Sequence, residues 1–274
     1  MLTPDQLIHA VALGTLEAAT EFLPVSSTGH LLLAGHFLGF EGPPGKVFEI
    51  AIQLGAILAI CVLYFQKLWG VVLDLPGQNT AGRQARNFTL AVLAGFLPAA
   101  VVGILLHDTI TTYLFNPIVV CAMLVVGGLV ILYLENVRRA PASVYDIDAL
   151  DWRLALKIGA LQCLAMVPGV SRSGATIMGA MWLGVNRKVA TEFSFFLAIP
   201  TMVGAVALSL WEQRALLRAE DLALIGVGLV TAFLVALLVV RWLVGFVARR
   251  TFTPFAWYRI TVGGLGLLAL ALWG

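Results

Sequence analysis

The chain has 274 residues, of which 60% are hydrophobic and 12% charged, and its formal net charge is +2. A soluble domain carries about 25% charged residues, so the deficit excludes a surface that faces water along most of its area. A net charge of +2 is too small to imply nucleic-acid binding. A mean hydropathy of +0.96 points to lipid as the solvent. Cys61, Cys121 and Cys163 all lie in apolar runs without metal or disulfide spacing, so they read as small core residues. Residues 1–16 carry one charge, Asp5, and no basic n-region, so no cleavable signal peptide is expected.

Residues 6–40 are apolar but broken near the middle, at Leu23-Pro24-Val25-Ser26-Ser27-Thr28-Gly29. Proline stops a helix and Ser or Thr caps the next one. The stretch therefore predicts two half-helices meeting at a polar elbow. Apolar runs at 47–66, 88–107 and 117–134 follow, each long enough to span a bilayer as a helix. Residues 154–184 are broken again, at Val167-Pro168-Gly169-Val170-Ser171-Arg172-Ser173-Gly174. Runs at 189–211, 222–247 and 257–273 close the chain. Irregular backbone deep in apolar sequence is tolerated only where protein or a wet cavity surrounds it. The expectation is an all-α integral membrane protein with six transmembrane helices and two re-entrant broken segments, forming one membrane domain over 1–274.

The two elbows resemble each other. Val25-Ser26-Ser27-Thr28-Gly29 aligns with Val170-Ser171-Arg172-Ser173-Gly174 without a gap, and Leu16-Glu17 with Leu161-Gln162 at the same offset. Lys46, Val47 and Glu49 match Lys188, Val189 and Glu192 with a small shift. These are repeats of approximately 1–140 and 150–274, and such repeats place a site at their interface. Lys67, Arg83 and Arg86, then Arg138, Arg139, Arg153 and Lys157, then Arg249 and Arg250 mark the cytoplasmic side, while 108–116 carry no Lys or Arg. The odd number of spans between the broken segments makes the repeat inverted, with both termini outside. Arg214 and Arg218 in an expected outer loop run against the rule.

Charges in mid-membrane are costly and mark function by default. They are Glu17, Glu21 and His30 at the first break, Arg172 at the second, and Glu49 and Glu192 in later spans. Glu17 and Glu21 are spaced i,i+4 and share a helical face, which suits a cation. Ser26, Ser27 and Thr28 begin a half-helix whose free N–H groups attract anions. His30 follows Ser27 by one turn, so the two can form a nucleophile and base. Arg172 carries a forked cation suited to phosphate. If the repeats face each other, the set fits phosphoryl transfer. His9, His36 and His107 read as interfacial or packed, and Trp69, Trp152, Trp242, Trp257 and Trp273 as belt residues.

With Glu17-Ala18-Ala19-Thr20-Glu21-Phe22-Leu23-Pro24-Val25-Ser26-Ser27-Thr28-Gly29-His30 and Pro168-Gly169-Val170-Ser171-Arg172-Ser173-Gly174-Ala175-Thr176, the chain resembles the undecaprenyl pyrophosphate phosphatase family, also called the bacitracin-resistance protein family. The resemblance covers essentially the whole chain. It implies hydrolysis of undecaprenyl diphosphate to the monophosphate and phosphate, recycling the carrier lipid for peptidoglycan synthesis and conferring bacitracin resistance. It further implies a site in the bacterial cytoplasmic (inner) membrane open to the outer face, and help from Mg²⁺ or Ca²⁺. The functional residues it implies are Glu17, Glu21, Ser26, Ser27, His30, Ser171, Arg172, Ser173 and Thr176.

The roles expected are as follows. Arg172 and the half-helix N-termini, with Ser26, Thr28, Ser171, Ser173 and Thr176, hold the pyrophosphate. Ser27 attacks, His30 takes its proton, Glu21 orients His30 or holds the cation, and Glu17 supports. A phosphohistidine at His30 is the competing chemistry. A lipid-phosphate flippase using the same anion site is the rival class, since inverted repeats with broken helices also build transporters. A second lipid-phosphatase class with a Ser-Gly-His element is disfavoured, because its Lys/Arg-Pro motif and His-Asp pair are missing here. A homodimer is compatible with the sequence.

Overall fold

Helices account for nearly all regular structure in the computed structural model, which describes residues 3–40, 42–43, 46–137 and 141–273. Helix α1 (Pro4–Glu21) begins at a capping box in which Thr3 and Gln6 satisfy each other's backbone. It stops before Pro24, and α2 (Ser27–Leu38) turns back. Helices α3 (Val47–Ala51) and α4 (Gln53–Leu63) carry the first full span, and α5 (Phe65–Asp74) bends away from it by 71°. Helix α6 (Thr80–Tyr113) and α7 (Pro117–Asn136) complete the first half.

The second half repeats the order. Helix α8 (Trp152–Gln162) and a 3-10 turn (Cys163–Met166) lead to the second elbow, and α9 (Arg172–Trp182) returns. Then come α10 (Arg187–Gln213), α11 (Ala219–Val247) and α12 (Thr253–Trp273). Five described helices are long and apolar enough to cross a membrane, and the bent α3–α5 segment supplies the sixth. The all-α membrane architecture and both broken segments agree with the sequence. Two boundaries differ. Helix α6 outruns its apolar run at both ends, because its polar first turns are also helical and Asn79 caps them. The run at 47–66 ends early at Tyr64, whose ring packs against Phe195 and Phe196 and whose hydroxyl reaches Glu192. Beyond it, α5 buries no residue fully and is tied down by Lys67, 2.5 Å from Asp148. A helix with a polar and an apolar face and no core suits the membrane interface.

The halves interlock reciprocally: α1 packs along α11, α8 packs along α6, and α7 pairs with α12. The first two of these crossings depend on glycine. A Cβ on Gly14 would meet the Gly228 carbonyl oxygen at 2.5 Å, and one on Gly159 would meet that of Gly95 at 2.1 Å. Gly14 and Gly159 stand at the same offset from Ser26 and Ser171, so the repeat extends further than the elbows. Small residues allow backbones to approach where lipid offers no hydrophobic drive to pair. Gly159→Leu is expected to destabilise the protein by about 1–3 kcal/mol, as overpacking does. Thermal unfolding in detergent measures this. Gly226→Leu is the control, since a Cβ there meets nothing within 4 Å.

At one end of the bundle Glu135 joins three helices. It pairs with Arg187 at 2.6 Å and accepts the Phe252 N–H at 2.8 Å. Leucine, isoleucine and valine side chains cover the outside of the spans, as a lipid-facing surface requires. Trp69, Trp152, Trp242 and Trp257 are all exposed, as belt residues are. His9 packs edge-on against Phe40, as expected. The side chains of His36, His107 and Trp273, and the whole of Arg138 and Arg139, lie outside the described residues. Cys121 is buried, while Cys61 and Cys163 are half-buried, and all three are free thiols.

Candidate active site

The elbows are built alike. Ser26 and Ser171 both take left-handed backbone angles, with φ of 73° and 77°. Non-glycine residues rarely adopt this conformation, which costs of order 1–3 kcal/mol and gathers at functional sites. Each serine then caps the half-helix it begins. Ser26 Oγ accepts the Gly29 N–H, and Ser171 Oγ accepts the Gly174 N–H at 3.0 Å. Ser173 Oγ donates to the Leu23 carbonyl at 2.7 Å, bonding one elbow to the other.

Between the elbows lies a cavity of about 300 Å³, lined by Glu21, Ser26, Ser27, Thr28, Ser171 and Arg172, with Gln162, Gly169 and Phe115 among its other walls. The Glu21 carboxylate is its centre. One oxygen accepts from Arg172 Nε at 3.3 Å and Nη2 at 3.2 Å. The other accepts the Ser27 hydroxyl in a short hydrogen bond. Arg172 Nη1 is held by Ser194, at 2.7 Å to its carbonyl and 3.2 Å to its hydroxyl. Guanidinium, carboxylate and hydroxyl thus form one chain across the two elbows. The pair is nearly dry, with side-chain exposures of 12% for Arg172 and 6% for Glu21.

The structure corrects one expected contact. His30 does not pair with Ser27. Its Nδ1 lies 2.8 Å from the Ser26 carbonyl, and its Nε2 lies 2.7 Å from the Tyr258 hydroxyl. A carbonyl only accepts, so Nδ1 carries the proton and Nε2 receives the Tyr258 O–H. The imidazole also stacks on the Tyr258 ring. An i,i+3 spacing shows that His30 and Ser27 share a side of α2, but not that a helix 228 residues later captures the ring. The Ser27 hydroxyl donates to Glu21 instead.

The remaining expected residues divide in two. Ser26, Thr28 and Ser171 line the cavity. Ser173 and Thr176 stand behind it, Thr176 donating to the Arg172 carbonyl at 2.8 Å and Gln162 at 3.2 Å. Glu17 is fully buried, its carboxyl beside that of Glu21, and no other group among the described residues donates to either oxygen. Glu192 accepts from Tyr64 at 3.4 Å, and one Glu49 oxygen has no partner among the described residues. Neither carboxylate lines the cavity. Sequence reasoning missed Ser194, Tyr258 and Arg259. Only Arg259 left a signal, a lone cation inside an apolar run.

Among the described residues, no group of three or more His, Cys, Asp and Glu side chains could hold a metal by itself. Two adjacent carboxylates, one of them buried without a donor, still suit a hard cation that takes its other oxygens from a phosphate substrate.

The profile of the family described as "Bacitracin resistance protein BacA" matches residues 10–265. The chain is 52% identical over 270 residues to undecaprenyl-diphosphatase 1 of Mesorhizobium japonicum, covering 98% of each protein. It is 53% identical over 271 residues to undecaprenyl-diphosphatase of Parvibaculum lavamentivorans, covering 99% of each. It is likewise 53% identical over 273 residues to undecaprenyl-diphosphatase 1 of Agrobacterium fabrum, covering 98% of this chain and 99% of that one. With elbows, cavity and full-length similarity in agreement, the chain belongs to the bacitracin resistance protein BacA family.

Proposed function

We propose that the chain hydrolyses undecaprenyl diphosphate to undecaprenyl phosphate and inorganic phosphate within the membrane, recycling the carrier lipid for cell-wall synthesis and conferring bacitracin resistance. The observation that carries this reading is the Arg172–Glu21–Ser27 chain on the cavity wall. Relatives named for the same activity along their full lengths favour it over a flippase.

Ser27 Oγ attacks the terminal phosphorus while Glu21 takes the hydroxyl proton. The bond from phosphorus to the bridging oxygen breaks, and undecaprenyl phosphate leaves with the electron pair. Glu21 yields its proton to the departing phosphate oxygen, which restores the carboxylate. Water then gives it a proton while attacking the phosphoserine phosphorus. The bond from phosphorus to Ser27 Oγ breaks, and Glu21 returns the proton to Oγ as phosphate leaves. Arg172 and the N–H groups of the half-helices stabilise the charge on the phosphoryl oxygens, the main task in such transfers. The Ser26, Thr28 and Ser171 hydroxyls, which line the same cavity, would serve the second phosphate. His30, held by Ser26 and Tyr258, steadies the first turn of α2 and thereby Ser27.

Glu17 and Glu21 would hold a divalent cation, Mg²⁺ or Ca²⁺, together with substrate oxygens. Such a cation neutralises phosphate charge. The site is proposed to open to the outer face of the bacterial inner membrane, with both termini on that side. Ile110 and Phe115 of the cavity wall support this, since they come from 108–116, which lacks Lys and Arg.

Purified protein in detergent should release phosphate from a prenyl diphosphate without any ion gradient, and chelation should suppress the release until Mg²⁺ is restored. Glu17→Gln should raise the Mg²⁺ concentration for half-maximal rate. Binding without phosphate release would sink the hydrolytic reading.

A further inference from the structure

We infer that Arg259 is a positioning residue for the phosphoryl transfer, a buried fork that fixes the two elbows at one separation. The inference rests on the hydrolytic reading above. Arg259 is 1% exposed and lies on α12, outside both elbow motifs. A guanidinium has five N–H donors. Here each meets a backbone carbonyl. Nη1 donates to Pro24 at 3.0 Å and Val170 at 2.9 Å. Nη2 donates to Gly169 at 2.8 Å and Met123 at 3.0 Å, and Nε donates to Leu124 at 3.2 Å.

The acceptors explain the placement. Pro24 belongs to the first elbow, Gly169 and Val170 to the second, and Met123 and Leu124 to α7. Elbow carbonyls have no helical partner, and buried backbone acceptors need a donor where water is excluded. One planar side chain satisfies both elbows and references them to the α7–α12 pair. Ser26 and Ser27 follow Pro24 after one residue, and Ser171 and Arg172 follow Val170 directly. A shift of either elbow would move Ser27 relative to Arg172, and a misplacement of 1 Å can cost about 10²-fold in rate.

The space for the fork is reserved by Gly127. A Cβ there would meet Arg259 Nη2 at 1.9 Å and Cζ at 2.4 Å. The guanidinium cannot move aside without losing carbonyl partners. Gly127 belongs to α7 and touches neither elbow motif in sequence, so it offers an independent way to displace the fork.

The test compares wild type, Arg259→Lys, Arg259→Met and Gly127→Ala in detergent, each normalised to folded chain by helical circular dichroism and monodisperse elution. Orthovanadate serves as the transition-state probe. The expected result is a kcat lowered by about 10²-fold in Arg259→Met and Gly127→Ala, with a smaller loss in Arg259→Lys, which keeps three donors. KM should stay within about threefold, because no substrate contact is removed. Orthovanadate inhibition should weaken in step with kcat, since the damage falls on transition-state geometry. A merely structural role would lower the folded yield and leave kcat per folded chain unchanged, and that outcome would overturn the inference. A loss confined to KM would overturn it as well. Should Arg259→Met not fold, Gly127→Ala decides alone. A wild type that releases no phosphate would defeat the hydrolytic reading instead.

Discussion

Arg172→Ala is expected to lower phosphate release by at least about two orders of magnitude, the usual worth of a charged transition-state contact. The substitution removes a guanidinium from the cavity wall and strips Glu21 of two hydrogen bonds. It leaves a nearly dry carboxylate without its cation. Removing one partner of such a buried pair costs about 3–5 kcal/mol, so the variant should also melt at lower temperature. Arg172→Lys separates charge from geometry. It keeps the cation but cannot bridge Glu21 and Ser194 together, as Nε, Nη1 and Nη2 do now. It should recover stability more fully than turnover. Initial rates on a prenyl diphosphate, normalised to folded protein, give the answer. Near-normal turnover in Arg172→Ala would remove the proposed site.

Glu21→Gln should lower the rate of forming the phosphoenzyme by about 10²–10⁴-fold, the contribution of a positioned general base. The amide can still receive the Ser27 hydroxyl bond but cannot keep its proton. Rapid quenching with substrate labelled in the terminal phosphate measures that rate directly. Ser27→Ala should abolish the label altogether. His30→Gln should retain the labelling stoichiometry, since its ring nitrogens serve Ser26 and Tyr258 rather than Ser27. The label should survive acid and be lost in alkali, as phosphoserine is. Label recovered on an imidazole nitrogen would exclude the serine route.

The membrane class, the spans and both elbows were legible in the chain because each is a local property. Twenty apolar residues reach across a bilayer wherever they occur, and Pro24 and Pro168 interrupt a helix through their own rings. Glu17, Glu21 and Arg172 stood out because charge in apolar sequence is costly whatever its partner. The bend at Tyr64 was not legible, since α5 continues the helical pattern and the Tyr64 side chain meets Phe196 and Glu192 far along the chain. The matched pair Gly14 and Gly159 was present in the sequence, but its meaning lies in Gly228 and Gly95 opposite.

The sequence by itself determined that the protein lives in lipid, that its chain breaks twice, and which ionisable groups had to find partners. Tertiary structure alone decided who those partners are. It gave Ser27 to Glu21, took His30 to Tyr258, and set Arg259 across both elbows. Helix breaks and apolar length act over a few residues, whereas a hydrogen bond between residues 24 and 259 depends on how every span between them packs.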